Sequence, residues 1–142
     1  MRGWHIVVSS ALRKKDLPSL RIRFFGPEGS LRATKASLMM LEQAEIGRLF
    51  GETDDVLAIQ SNEEHSYNSR TSVWLLPERG GPKQLIEANA VLGKFSKGSN
   101  TARPGIWISR QNYDGVHSDT KGWVDEFWAR DPARKSLILE PR

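Results

Sequence analysis

GWVDEFWAR, residues 122–130, decides whether this chain carries helices as well as strands. Trp123 and Phe127 stand four residues apart, as do Val124 and Trp128, and such i,i+4 pairs meet on one face of a helix. The stretch is therefore predicted to be helical. Asp131-Pro132 supplies its end, and Asp119 or Thr120 supplies an N-cap. Strands flank it on both sides: GIWIS (105–109) before it and SLILE (136–140) after it.

Further upstream the strand signal is stronger. Leu20, Ile22 and Phe24 alternate with Arg21 and Arg23, the clearest period-2 run in the sequence. The turn Gly26-Pro27-Glu28-Gly29 follows, and SLRATKAS returns, which predicts a hairpin over about 19–36. Trp4, Ile6 and Val8 place another strand near 3–10. VLAIQ and TSVWLLPE read as short apolar strands, the second closed by Pro77 and by Gly80-Gly81-Pro82. Two more segments lean helical. Over 38–50, Ile46, Leu49 and Phe50 share a helical face and Gly51 is a stop. Over 83–93, Leu85, Ala88, Asn89 and Leu92 share a face, although NAVLGKF equally fits a strand. Six or seven short strands with two or three short helices, lacking βαβ alternation, predict an α+β fold. The expected form is one domain over 1–142, with a curved, mainly antiparallel sheet or a partly open barrel.

Composition sets bounds on function. A chain of 142 residues can bury roughly 68–70% of its unfolded surface and needs no staple. It has no cysteine, which excludes disulfides, thiolate zinc sites and cysteine nucleophiles together. No apolar run approaches the ~18 residues of a membrane span, and MRGWHIVVSS is too short in its apolar part for a signal peptide. A soluble, cytoplasmic protein is the expectation. The net charge of +4 is unevenly spread: residues 1–40 carry +6, 41–64 carry −6, 65–112 carry +5 and 113–142 carry −1.

Two basic groups are candidates for gripping an anion. In GKFSKGSNTARPGIWIS (93–109), Lys94, Lys97 and Arg103 surround Gly98-Ser99-Asn100-Thr101, whose hydroxyls and backbone amides suit phosphate oxygens. The GxxxxGK[ST] spacing of a nucleotide-binding loop is absent. Alternation puts Arg21 and Arg23 on one side of a strand, some 7 Å apart. Arg32 and Lys35 follow on the return strand, pointing to opposite faces if it is regular, and Arg13-Lys14-Lys15 lie in the preceding loop. Arginine suits phosphate better than lysine does. The plain alternative is an ordinary solvated loop and sheet face. The five tryptophans are mostly explained by core packing, because Trp74 and Trp107 lie inside apolar runs and Trp123 and Trp128 lie on the expected helix. Tyr67 and Tyr113 are better placed for surface contacts.

Catalytic patterns are sparse. His5, His65 and His117 show no HxxxH or HExxH spacing. His117-Ser118-Asp119 has the letters of a hydrolase triad, but adjacent residues cannot form its chain of hydrogen bonds. Glu64 and His65, with Asp54 and Asp55, could gather a metal ion for a nuclease. The acidic 42–64 segment offers a docking surface for a basic partner. The sequence is read first as a nucleic-acid-binding domain, for DNA rather than RNA, without catalytic residues, metal or cofactor. Arg21, Arg23, Lys94, Lys97 and Arg103 would contact phosphates, while Arg70, Arg110, Asn112 and Tyr113 would contact bases or edges. A protein-binding inhibitor or adaptor acting through 42–64 is the second reading, and a metal-dependent nuclease the third. The first reading requires the two basic groups to converge.

Overall fold

The computed structural model describes residues 3–12, 18–37, 40–50, 54–62, 69–98, 103–113 and 120–140. These residues form eleven strands. They are β1 (His5–Leu12), β2 (Pro18–Phe25), β3 (Leu31–Ser37), β4 (Met40–Gly47), β5 (Asp55–Asn62), β6 (Ser69–Leu76), β7 (Lys83–Ala88), β8 (Ala90–Ser96), β9 (Gly105–Tyr113), β10 (Thr120–Asp131) and β11 (Ser136–Leu139). Neighbours in sequence pair antiparallel, except across β3/β4 and β7/β8, where the chain changes sheets. The result is three open sheets, β1-β2-β3, β4-β5-β6-β7 and β8-β9-β10-β11.

No helix occurs among the described residues, so the α+β expectation is overturned in favour of an all-β fold, and none of the sheets closes into a barrel. The three segments expected to be helical are strands, and the reason is arithmetic. Four is an even number, so residues at i,i+4 share a strand face as well as a helix face. Residues 122–130 fall within β10, where Val124 and Trp128 stand on the same side because of period two. Most of the 38–50 segment is β4, and 83–93 is divided between β7 and β8 at the single residue Asn89. The hairpin of 19–36 is present as β2 and β3, joined by a turn in which Gly29 adopts φ 91°.

The second sheet is the middle layer, and its sequence shows why. Along β5, every residue from Val56 to Ser61 is buried. Val56 and Ala58 point into one core with Val73, Leu75, Ile86, Leu92, Ile106 and Ile108. Leu57 and Ile59 point the opposite way, into a second core with Leu20, Ile22, Phe24, Trp74 and Leu76. A strand covered on both faces reads as a continuous apolar run rather than an alternating one. The first sheet covers one face and the third sheet covers the other.

Phe24, fully buried, anchors the first layer. Its ring meets Trp4 edge-on at 6.5 Å and Trp74 at 5.6 Å, contacts each worth ~0.5–1.5 kcal/mol beyond the area they bury. The Trp4 indole also donates to the Pro77 carbonyl at 2.9 Å, tying β1 to the end of β6.

The third layer is fixed by polar contacts. Thr71 donates its hydroxyl to the Ala90 carbonyl at 2.8 Å, and the Leu92 N–H donates to Gln60 Oε1 at 2.8 Å. Side chains of the middle sheet thus satisfy the free backbone edge of β8. At the far end, Lys135 takes a left-handed conformation, φ 48°, which a residue with a β-carbon adopts only when its surroundings require it. Its ammonium reaches the buried Asp54 carboxylate at 2.7 Å, and Arg130 donates to the Leu49 carbonyl at 2.9 Å. Since no helix is present among the described residues, none is long and apolar enough to cross a membrane.

Candidate nucleic-acid interface

The outer face of the first sheet follows directly from alternation. Leu20, Ile22 and Phe24 turn inward, so Arg21 and Arg23 turn outward, and both are exposed. Register places Arg21 between Ser9 and Ala36 and places Arg23 between Val7 and Thr34. His5, Val7, Ser9 and Thr34 share this face and are exposed as well. No carboxylate stands on it among the described residues, and neither arginine has an ion-pair partner there.

A regular strand would place Arg32 and Lys35 on opposite faces, and neither joins this one. A register shift at Phe24/Phe25 places Arg32 in a bulge and rotates its side chain. Its guanidinium binds Glu28 at 2.6 Å, donates to the Glu78 and Gly80 carbonyls at 3.3 and 2.9 Å, and lies 4.8 Å from the Trp4 ring. Arg32 is a strut between the first sheet and the β6–β7 turn. Its hydrogen bond to Glu28, and secondarily that from the Ser30 hydroxyl, hold the Glu28 carboxyl at about 2, far below the usual carboxylate value. Lys35 turns inward and lies 5.6 Å from the Trp74 ring.

Lys94, Lys97 and Arg103 are exposed on the third sheet and the connection that follows β8. The middle sheet separates that layer from the first one, so the two basic groups are not brought together. Lys97 instead borders a shallow groove with Ile46, Arg48, Leu49, Asp55 and Phe95. Ser99, Asn100 and Thr101 lie outside the described residues, as do Arg13-Lys14-Lys15.

The lower-ranked contacts fare differently again. Arg70 is paired with Glu87 at 3.1 Å, and Arg110 with the buried Glu126 at 2.6 Å. Asn112 and Tyr113 continue β9, but the contacts assigned to their side chains lie outside what is described. The chain matches no protein-family model, no curated protein and no solved structure.

Three acids of the 42–64 segment are engaged within the chain, while Glu45 is exposed. Glu42 accepts from Gln60 and from Ser69, Asp55 faces Arg48 at 3.4 Å, and Asp54 is buried against Lys135. Asp54 and Asp55 are therefore committed to cations of the chain itself, and among the described residues no group of three metal-binding side chains forms. Glu64, His65, Tyr67 and His117 lie outside the described residues.

Trp107 departs from the core reading given to most of the tryptophans. It is exposed on the outer side of the third sheet, 4.9 Å from the Phe127 ring. Nothing in GIWIS marks it, because an apolar run shows no difference between its two faces. Trp74 and Trp128 do pack against the core.

Proposed function

We propose that the protein binds nucleic acid, with duplex DNA the expected partner, and that Arg21 and Arg23 make its principal phosphate contacts. One observation carries this reading: two unpaired, exposed arginines project from a sheet face that bears no carboxylate among the described residues. Residues two apart on a strand are separated by about 7 Å, close enough for both guanidiniums to reach phosphates of one DNA strand. Strand faces enter DNA grooves in several known modes of recognition. The pattern of paired arginines supports the same choice of face, since Arg70 and Arg110 would each have to abandon a carboxylate to reach a phosphate. Lys94, Lys97 and Arg103 form a separate surface, not an extension of this one.

Fluorescence anisotropy with duplex DNA, single-stranded DNA and RNA, at several salt concentrations, tests the proposal. Two phosphate contacts predict a log–log salt slope of about −1.8 on duplex DNA. Arg21→Ala/Arg23→Ala should flatten that slope and weaken binding for every sequence, while Lys94→Ala/Lys97→Ala/Arg103→Ala should leave both in place. No binding at low salt overturns the function. Loss of binding in the triple variant alone moves it to the other face.

A further inference from the structure

The inward-turned Lys35 marks a second site, unrelated to the arginine face. Between the first and middle sheets lies a cleft of about 240 Å³. Its apolar floor is made by Leu20, Ile22 and Ile59, all nearly fully buried, together with the indole of Trp74. Among the described residues the Trp74 Nε1–H has no acceptor. An indole donor normally finds one when buried, so this wall is under-satisfied.

Charge at the mouth is unbalanced in one direction. Arg70 and Glu87 neutralise each other at 3.1 Å, and Gln84 adds a hydrogen bond to the same carboxylate at 3.3 Å. Lys35 has no such partner. Among the described residues its ammonium contacts only the Trp74 ring face, 5.6 Å from the centroid. Ser72 also lines the cleft. The cleft thus presents one uncompensated positive charge above an apolar floor.

We infer that this cleft binds a small amphiphilic carboxylate, with its anionic head on Lys35 and its short apolar tail lying against Leu20, Ile22 and Ile59. The volume sets the size. An apolar cavity of ~150 Å³ takes up benzene, so this one suits a ligand of roughly ten non-hydrogen atoms or fewer, well short of a long-chain lipid. One head charge matches one free cation. A neutral ligand of the same shape would leave the ammonium unpaired, and an anion without a tail would leave the floor unused.

Sodium hexanoate, acetate and 1-hexanol, each titrated into the 15N-labelled protein and followed by amide shifts, separate these terms. Hexanoate should saturate in the millimolar range or tighter, shifting amides of residues 20, 22, 35, 59 and 72–74. Acetate and hexanol should each bind at least about tenfold more weakly. Lys35→Met keeps the aliphatic stem, removes the charge at an exposed position, and should weaken hexanoate about tenfold. Ser72→Leu, which fills the cleft, should block it. Lys94→Met, which removes the same charge from the third sheet, should change nothing. The inference is overturned if hexanoate shifts no cleft amide, if hexanol binds as tightly as hexanoate, or if Lys35→Met binds hexanoate as the wild type does.

Discussion

Gln60 holds the middle and third sheets together, and replacing it by leucine isolates that contribution. It is 4% exposed. Its Oε1 accepts from the Leu92 N–H at 2.8 Å and from Gln43 Nε2 at 2.7 Å, while its own amide donates to Glu42. Leucine has nearly the same volume, so Gln60→Leu opens no cavity and places no clash. What it removes is polar. The Leu92 N–H, on a residue 4% exposed, loses its acceptor, and an orphaned buried donor costs ~1–3 kcal/mol. Gln43 retains its bond to the Leu92 carbonyl at 3.2 Å and Glu42 retains Ser69, so each loses only one of two partners. The sum is about 2–4 kcal/mol, partly offset by the apolar burial of leucine. Urea unfolding followed by tryptophan fluorescence should show a lower midpoint with an unchanged m value. Gln43→Leu is the internal comparison, because it leaves the Leu92 N–H bonded to Gln60 and should cost only ~0.5–1.5 kcal/mol. A Gln60→Leu protein within ~0.5 kcal/mol of wild type, or one no worse than Gln43→Leu, refutes the assignment of Gln60 as the acceptor for β8.

Three other outcomes are expected. Lys135→Met should destabilise by ~1–3 kcal/mol in thermal or urea unfolding, because the Asp54 side chain, 2% exposed, loses its cation; the half-exposed lysine places the cost below that of a fully buried pair. Asp54→Leu combined with Lys135→Met should recover most of that loss, and a double variant as unstable as the single one would count against the pair. Gly105→Ala should cost at least ~2 kcal/mol, since a β-carbon there would run into the Trp128 carbonyl oxygen and stand 2.6 Å from the Phe127 ring; a variant as stable as wild type would mean that β9 and β10 are not so closely apposed. The Glu28–Arg32 clasp should survive mild acid. The carboxyl is depressed from 4.5 to about 2 by its hydrogen bonds, so its contribution is complete above the ordinary value and is lost as pH falls through about 2. A carboxyl 13C titration should give that midpoint, and one near 4.5 would show the clasp open in solution.

The sequence announces its strands more clearly than their layering. The β2–β3 hairpin is legible because alternation and a Gly-Pro-Glu-Gly turn agree. VLAIQ and SVWLL are legible as strands for the opposite reason, being apolar without alternation. That same feature carries the layering, since a short apolar run of this kind is covered on both faces, but the chain does not say by what. β10 is misread because its aromatic spacing of four satisfies two periodicities at once, and only its pairing with β9 and β11 decides between them. The Arg21/Arg23 face is readable from local alternation alone. Arg32 is not, because one bulge reverses it. Lys35 is not either, because its meaning depends on Trp74, 39 positions away in the sequence.

The failure of the two basic groups to converge follows from how the chain changes sheets. β3 ends at Ser37 and β4 begins at Met40, while β7 and β8 are separated by Asn89 alone. Each short joint carries the chain from one layer to the next, and β5 and β6 fill the space between with residues pointing alternately to either side. Sequence segments 18–37 and 90–113 are thereby assigned to opposite outer layers. Charge that looks like one broken basic surface along the chain becomes two surfaces back to back. The described part of the acidic segment between them falls in the middle layer, where Asp54 is spent on Lys135 and Glu42 on Gln60 and Ser69. Layering thus separates the charge: the outer sheets carry exposed cations, while Asp54 reaches from the middle layer to Lys135 and Glu42 stays bonded within the middle sheet. A surface that binds through one outer layer has no direct route to the other, so the binding proposed for the first sheet rests on Arg21 and Arg23 without help from Lys94, Lys97 or Arg103.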